Sequence, residues 1–179
     1  MSIILGSTTR PYAGLSFSDA CAHIAAAGYS DVAIFGRNVV HSQSTPEEVL
    51  AACRIAEEAG VAPSMLLGRV QLELGLDAAL ADYLALIDNT ARLGARWLLD
   101  CGTNKPEWYA DYVTLMQCAA PHAQAAGITI TLKPHGGITL TTADLIDVYQ
   151  QIRHPGFGLC YDPGNILYYT RGQERPETH

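Results

Sequence analysis

A repeated unit constrains this chain more than any other feature. A small-residue helix end, a glycine and a short apolar run recur: Gly28 then Asp31 to Phe35, Gly60 then Val61 to Leu67, Gly94 then Ala95 to Leu99, Gly127 then Ile128 to Leu132. The glycines stand 32, 34 and 33 residues apart. Glycine takes the left-handed backbone geometry that stops a helix. The run after it is too short for another helix and apolar on both sides, as a buried parallel strand is. A further transition at Arg153 to Gly156 leads into Phe157 to Tyr161, and Ile3 to Leu5 opens the series as a first strand.

Helix starts are marked as well. Ser16 with Asp19, Thr45 with Glu48, Asn104 with Glu107 and Thr141 with Asp144 each set an acid three residues after a capping residue. Pro46 occupies a first helical position, and Asp77 is a cap without the acid. The reading is strands at 2–6, 31–35, 62–67, 95–100, 127–133 and 157–162, with helices at 17–27, 46–59, 78–93, 105–126 and 142–153. Strict alternation predicts an all-parallel sheet with right-handed crossovers. A doubly wound open sheet and a closed barrel both satisfy it. The even unit length favours the barrel. So do polar strand ends throughout: Arg10, Arg37-Asn38, Cys101 to Thr103, Lys133 to Gly137, and Asp162 to Asn165. An open sheet gathers such residues at one switch point, whereas a barrel rings them around one mouth. Neither GxGxxG nor a phosphate-binding loop follows the first strand. The expectation is one domain over 1–179, a (β/α)₈ barrel carrying about six of its units, against the roughly 250 residues usual for the whole fold.

Composition narrows the partners. Net charge is -7 with 11 Lys and Arg, and no basic run interleaves with aromatics, which argues against nucleic acid. No stretch reaches the roughly 18 apolar residues of a membrane helix, and the start is too polar for a signal peptide. Cys21, Cys53, Cys101, Cys118 and Cys160 include no CxxC pair and read as free thiols, mostly buried, in a cytoplasmic protein. No GxSxG or HExxH motif occurs.

Two strand ends carry residues capable of chemistry. Thr131-Leu-Lys133-Pro-His135-Gly-Gly137 sets a cation and an imidazole two residues apart at the end of an apolar run. Lys133 can neutralise an anionic oxygen or, with a lowered pKa, act as base or imine-forming amine. His135 can bind a metal or move a proton. A lysine snorkelling to solvent and a loop histidine bonded to backbone fit the same residues. Leu159-Cys-Tyr-Asp162-Pro-Gly-Asn165 puts a carboxylate directly after a buried run, where it needs a partner or an ion. Asn165 could hold a water or a sugar hydroxyl; Asp-Pro-Gly-Asn is equally a turn sequence. Arg10, Arg37 and His41 could reach a substrate or be plain surface. Asp100 and the segment Cys101 to Asn104 could present a helix amino end to an anion. Trp97 reads as core, and Trp108 with Tyr109 and Tyr112 as helix packing.

The run of six βα units, the segment LKPHGG at 132–137 and the segment GLCYDPGN at 158–165 resemble the xylose isomerase-like barrels, the sugar phosphate isomerase/epimerase group that also holds type-2 apurinic endonucleases. The resemblance implies a divalent metal, Mn²⁺, Mg²⁺ or Zn²⁺, held in part by Asp162 and His135. With the residue reading above, it points to Lys133 and His135 as catalytic groups, Asn165 and, from its place after the first strand, Arg10 as substrate contacts, and a sugar-like small molecule as partner. Lys133 stands where most members place a metal-binding Glu, and a protonated lysine cannot bind a metal: either His135 replaces that ligand, or the metal site is altered or absent. The implied activity is isomerisation or epimerisation through an enediolate. A dehydratase of the inosose type and a non-catalytic sugar-binding barrel are the alternatives. The strands that would add a His and a Glu are not in this chain, so an incomplete site, inactive alone, is expected. Open first and sixth edges favour association, a homo-oligomer included.

Overall fold

A computed structural model of the chain describes residues 3–36 and 38–175. Six strands form one parallel sheet: β1 (Gly6–Thr8), β2 (Asp31–Ile34), β3 (Ala62–Leu67), β4 (Trp97–Asp100), β5 (Thr129–Leu132) and β6 (Phe157–Leu159). Each pairs with its neighbour in sequence, in the order β1-β2-β3-β4-β5-β6. That order is the steady progression of a barrel wall; a doubly wound sheet reverses direction part-way. Helices α1 (Phe17–Ala26), α2 (Pro46–Glu58), α3 (Leu76–Arg92), α4 (Tyr109–Ala125) and α5 (Thr142–Ile152) link successive strands, and α6 (Pro163–Tyr169) follows β6.

The helix starts show why the elements lie where they do. Thr45 and Thr141 each form the full reciprocal capping box, with Glu48 and Asp144. Ser16 accepts the Asp19 N–H at 3.1 Å. Three starts differ from expectation. The helix expected from Asn104 begins instead with a short 3₁₀ turn at Pro106–Trp108 and becomes α only at Tyr109. Gly75, at φ 84°, precedes α3 in place of Asp77. The turn expected at 162–165 is the start of α6: Asp162 caps it and Pro163 takes the first helical position.

The large core lies between the sheet and its helices. Ile34, Leu66, Leu98, Ile130, Leu132 and Phe157 pack there against residues such as Ile87, Leu115 and Val148. A smaller cluster of Cys21, Ile24, Val32, Ala56 and Val61 seals α1 and α2 onto β2. The two outer strands each pair on one side. β1 sits later than the sequence indicates, because Gly6 to Thr8, not Ile3 to Leu5, meet Asp31 to Ala33. Ile3 is thereby left 88% exposed and precedes the pairing. At the other edge Tyr161 and Tyr168 are 65% and 75% exposed. Among the described residues no helix is long and apolar enough to cross a membrane. All five cysteines are free thiols, Cys21 buried and Cys118 exposed.

Candidate functional site at the strand ends

Register decides which side chains face the inside of the wall. Asp100, Leu132 and Leu159 are partners across β4, β5 and β6. Partners in register share a face, and Leu132 belongs to the helix-side core. The next residues, Cys101, Lys133 and Cys160, therefore turn to the inner face. The ladder continues through them: Lys133 N–H donates to the Asp100 carbonyl at 3.0 Å and Cys160 N–H to that of Leu132 at 2.8 Å.

Lys133 is nearly buried, its side chain 10% exposed, and its ammonium donates to Asp162 Oδ2 at 3.1 Å. The other Asp162 oxygen accepts the Asn165 N–H at 2.9 Å, which caps α6. The Asn165 side-chain amide donates to the Pro134 carbonyl at 2.8 Å. These bonds tie α6 to the segment that carries Lys133. The Tyr169 ring, at the end of α6, lies 5.1 Å from the His135 ring.

The Lys133–His135 loop rests on the loop after β4. Gly137, at φ 56°, lies so close that an added Cβ would stand 2.1 Å from the Thr103 carbonyl oxygen. Its glycine is therefore required by neighbouring backbone, not by a ligand. Ile138 N–H donates to that same carbonyl at 3.0 Å. Thr139, fully buried, accepts the His135 N–H at 3.0 Å and donates to the Gly136 carbonyl at 2.9 Å.

A cavity of about 880 Å³ opens at these strand ends, lined by Arg10, His41, Gln71, Cys101, Trp108 and His135 among others. Lys105 places its ammonium 3.7 Å above the Trp108 ring, so that ring faces the cavity edge as well as the helix packing expected of it. Asp162 lines a separate, smaller cavity of about 160 Å³ between α5, β6 and α6, with Pro134 and Leu159. Lys133 and Asp162 thus meet, Arg10 and His135 line the large cavity while Asp162 lines the smaller one, and Asn165 is engaged in joining two loops. Arg37 lies outside the described residues.

The charges shape the mouth. Burial first, then the Lys133 and Arg10 cations, lower the His135 pKa below its ordinary 6.5 and favour a neutral imidazole. Burial and the neighbouring Asp100 push the Cys101 thiol up to about 12. Burial, with Asp162 beside it, also raises Cys160. Asp100 itself turns away from the mouth. It is 1% exposed and accepts from Tyr112 Oη at 2.7 Å, Tyr83 Oη at 3.2 Å and Gly102 N–H at 2.8 Å. Burial holds its pKa above the usual carboxylate value. Asp100, one of the expected candidates for a ligand, instead takes a place between sheet and helices.

Two inner-face residues were not legible as such. Trp97, expected in the core, is 38% exposed on the inside of the open wall. Thr131, two residues before Lys133 and on its face, has a buried hydroxyl without a hydrogen-bond partner among the described residues. Period-two alternation points to both, once the register is known.

A divalent ion does not fit the donors as arranged. Both Asp162 oxygens are engaged, by Lys133 and by the α6 cap. Among the described residues no group of three or more His, Cys, Asp and Glu side chains is placed to hold a metal.

Comparison with known proteins agrees with this architecture. The chain is 30% identical over 102 residues to the 3-oxo-isoapionate decarboxylase of Pectobacterium atrosepticum, covering 55% of this chain and 36% of that protein. The structure of D-psicose 3-epimerase with D-tagatose from Clostridium cellulolyticum H10 superposes with a TM-score of 0.77 at 13% identity, over 96% of this chain and 66% of that one. A xylose isomerase-like TIM barrel protein from Mycobacterium smegmatis in complex with magnesium gives 0.72 at 16% identity, over 90% and 60%. The chain thus spans about two thirds or less of the proteins it matches. The sequence profile of the xylose isomerase-like TIM barrels matches residues 21–178. With its six-unit progression of parallel strands, this chain belongs to the xylose isomerase-like TIM barrel family.

Proposed function

We propose that the mouth formed by the ends of β1 to β6 is part of a site for enolate-forming chemistry on a sugar-like hydroxycarbonyl compound, with isomerisation or epimerisation as the outcome. The observation that carries this reading is the nearly buried Lys133 ammonium, held by Asp162, whose charge acts on His135 and Cys101 in the wall of the large cavity that Arg10 also lines. An ammonium has three N–H donors. One reaches Asp162, leaving two for a carbonyl oxygen that gains negative charge as an enolate forms. The neutral His135 imidazole is suited to accept the proton from the carbon beside that carbonyl. The C–H electron pair enters the new C=C bond and the oxygen takes the charge opposite Lys133; for isomerisation His135 returns the proton to the former carbonyl carbon while the adjacent hydroxyl gives its proton to the former carbonyl oxygen, and for epimerisation water delivers a proton to the other face of the same carbon while His135 releases its own to solvent. Arg10, on the cavity wall, would orient the substrate's far end. No step is assigned to a divalent metal. The names of the relatives support the ligand class: an epimerase bound to a ketose, and a decarboxylase of a 3-oxo acid.

The test is proton exchange in deuterated water with D-tagatose and D-fructose as probes, followed by NMR. Although an incomplete site is expected not to complete turnover alone, proton abstraction calls only on Lys133 and His135, so deuterium should enter at the carbon next to the carbonyl with wild-type chain. Lys133→Met and His135→Phe should each lower that rate by roughly 100-fold or more. Absence of exchange with wild type, or equal exchange with Lys133→Met, would defeat the reading.

A further inference from the structure

We infer that the Lys133 ammonium occupies the place of a divalent cation in this mouth, so that the site is built to work without one. The inference rests on the proposed role of the mouth as the reactive site, but its test reads metal binding alone, so the two can fail separately.

A metal site at a barrel mouth needs several anionic or neutral donors turned to one point. Here the carboxylate best placed for that, Asp162, gives one oxygen to Lys133 at 3.1 Å and the other to the Asn165 N–H at 2.9 Å. The amide of Asn165 is directed at the Pro134 carbonyl. The α6 cap and this amide bond together fix Asp162 toward Lys133. A carboxylate released to a metal would give up the cap and leave a nearly buried ammonium unpaired, an expensive state. Lys133 adds repulsion against any second cation nearby. Among the described residues, no set of three donors compensates. A tethered ammonium also does part of what a metal ion does for an enolate: it puts a positive charge and hydrogen-bond donors where negative charge develops. The pair carries no net charge before substrate arrives, which suits a nearly dry position better than a dication would.

The experiment is a titration of the full chain with Mn²⁺ alone, reading free ion by its electron paramagnetic resonance signal. Wild type, Asp162→Ala and Lys133→Glu are compared, with thermal melting to confirm folding. Wild type should show no saturable site, and Asp162→Ala should not change that. Lys133→Glu, which removes the cation and adds a carboxylate beside Asp162, should bind Mn²⁺ at least roughly tenfold tighter than wild type. Stoichiometric Mn²⁺ on wild type, lost in Asp162→Ala, would overturn the inference. So would a folded Lys133→Glu chain that binds no better than wild type, since Lys133 would then not stand at the cation position. If Lys133→Glu does not fold, the wild-type and Asp162→Ala arms decide alone.

Discussion

Asp100 and Asp162 are two carboxylates at neighbouring places on the same rim, and they solve burial in opposite ways. Asp100, the last residue of β4, faces the helices and is 1% exposed. Among the described residues no cation pairs with it; two tyrosine hydroxyls and a backbone N–H satisfy it. Asp162 follows β6, keeps 29% of its side chain in solvent and is paired to Lys133. The first is a joint between sheet and helices, the second a charge partner at an opening. The difference teaches that position in the repeat does not assign a role; the face does, and one step along a strand exchanges the faces.

Removing each carboxylate should separate the two most widely. Asp100→Ala strands two buried hydroxyls and an N–H and should cost about 3–5 kcal/mol. Asp162→Ala, near solvent, should cost about 1–3 kcal/mol through the lost cap and the unpaired lysine. Urea unfolding measures both, and equal losses would erase the contrast. Next in size is the coupling between Lys133 and Asp162. A double-mutant cycle with Lys133→Met and Asp162→Ala should show about 1–2 kcal/mol of interaction, and none between Lys133→Met and Asp100→Ala.

A smaller effect concerns the inner face itself. Thr131→Val removes a hydroxyl that has no partner and should raise stability by about 1 kcal/mol, read as a higher urea midpoint. The last prediction is a slope. The native Asp100 carboxyl lies above its ordinary 3.8, so the native state keeps the proton longer than the unfolded chain. Its contribution is present below pH 3.8 and is lost as pH rises through the native value. The stability of wild type relative to Asp100→Asn should fall over that rise. His135 runs the other way. Its native pKa is lowered from 6.5, so its contribution is present above that value and is lost as pH falls through the native one. Stability of wild type relative to His135→Phe should drop with acidification there.

The sequence exposes the repeat because each unit announces its own ends. Gly28, Gly60, Gly94 and Gly127 all adopt positive φ, and Thr45 and Thr141 cap as their spacing says. Lys133 and Asp162 are legible as neighbours because each follows a buried run on adjacent strands. What stays hidden depends on contacts between distant segments. Whether Asp100 faces helices or mouth depends on register, which local pattern cannot fix. The apolar Ile3 to Leu5 looks like a strand, but pairing with β2 begins at Gly6. α6 had a local signal, Asp162 followed by Pro163, that reads equally as a turn. Trp97 looks like core because its neighbours are, yet its own face is the open one.

The seat of the Gly137 backbone on the Thr103 carbonyl carries a consequence for how this rim can change. The two loops are in close backbone contact, so the position of the Lys133 segment depends partly on Thr103 and Asn104. A side chain at Gly137 would displace the ammonium from afar, much as bending a bracket shifts the lamp it holds. Changing the lining of this opening is therefore easier from Arg10, after β1, than from the loop that bears Lys133.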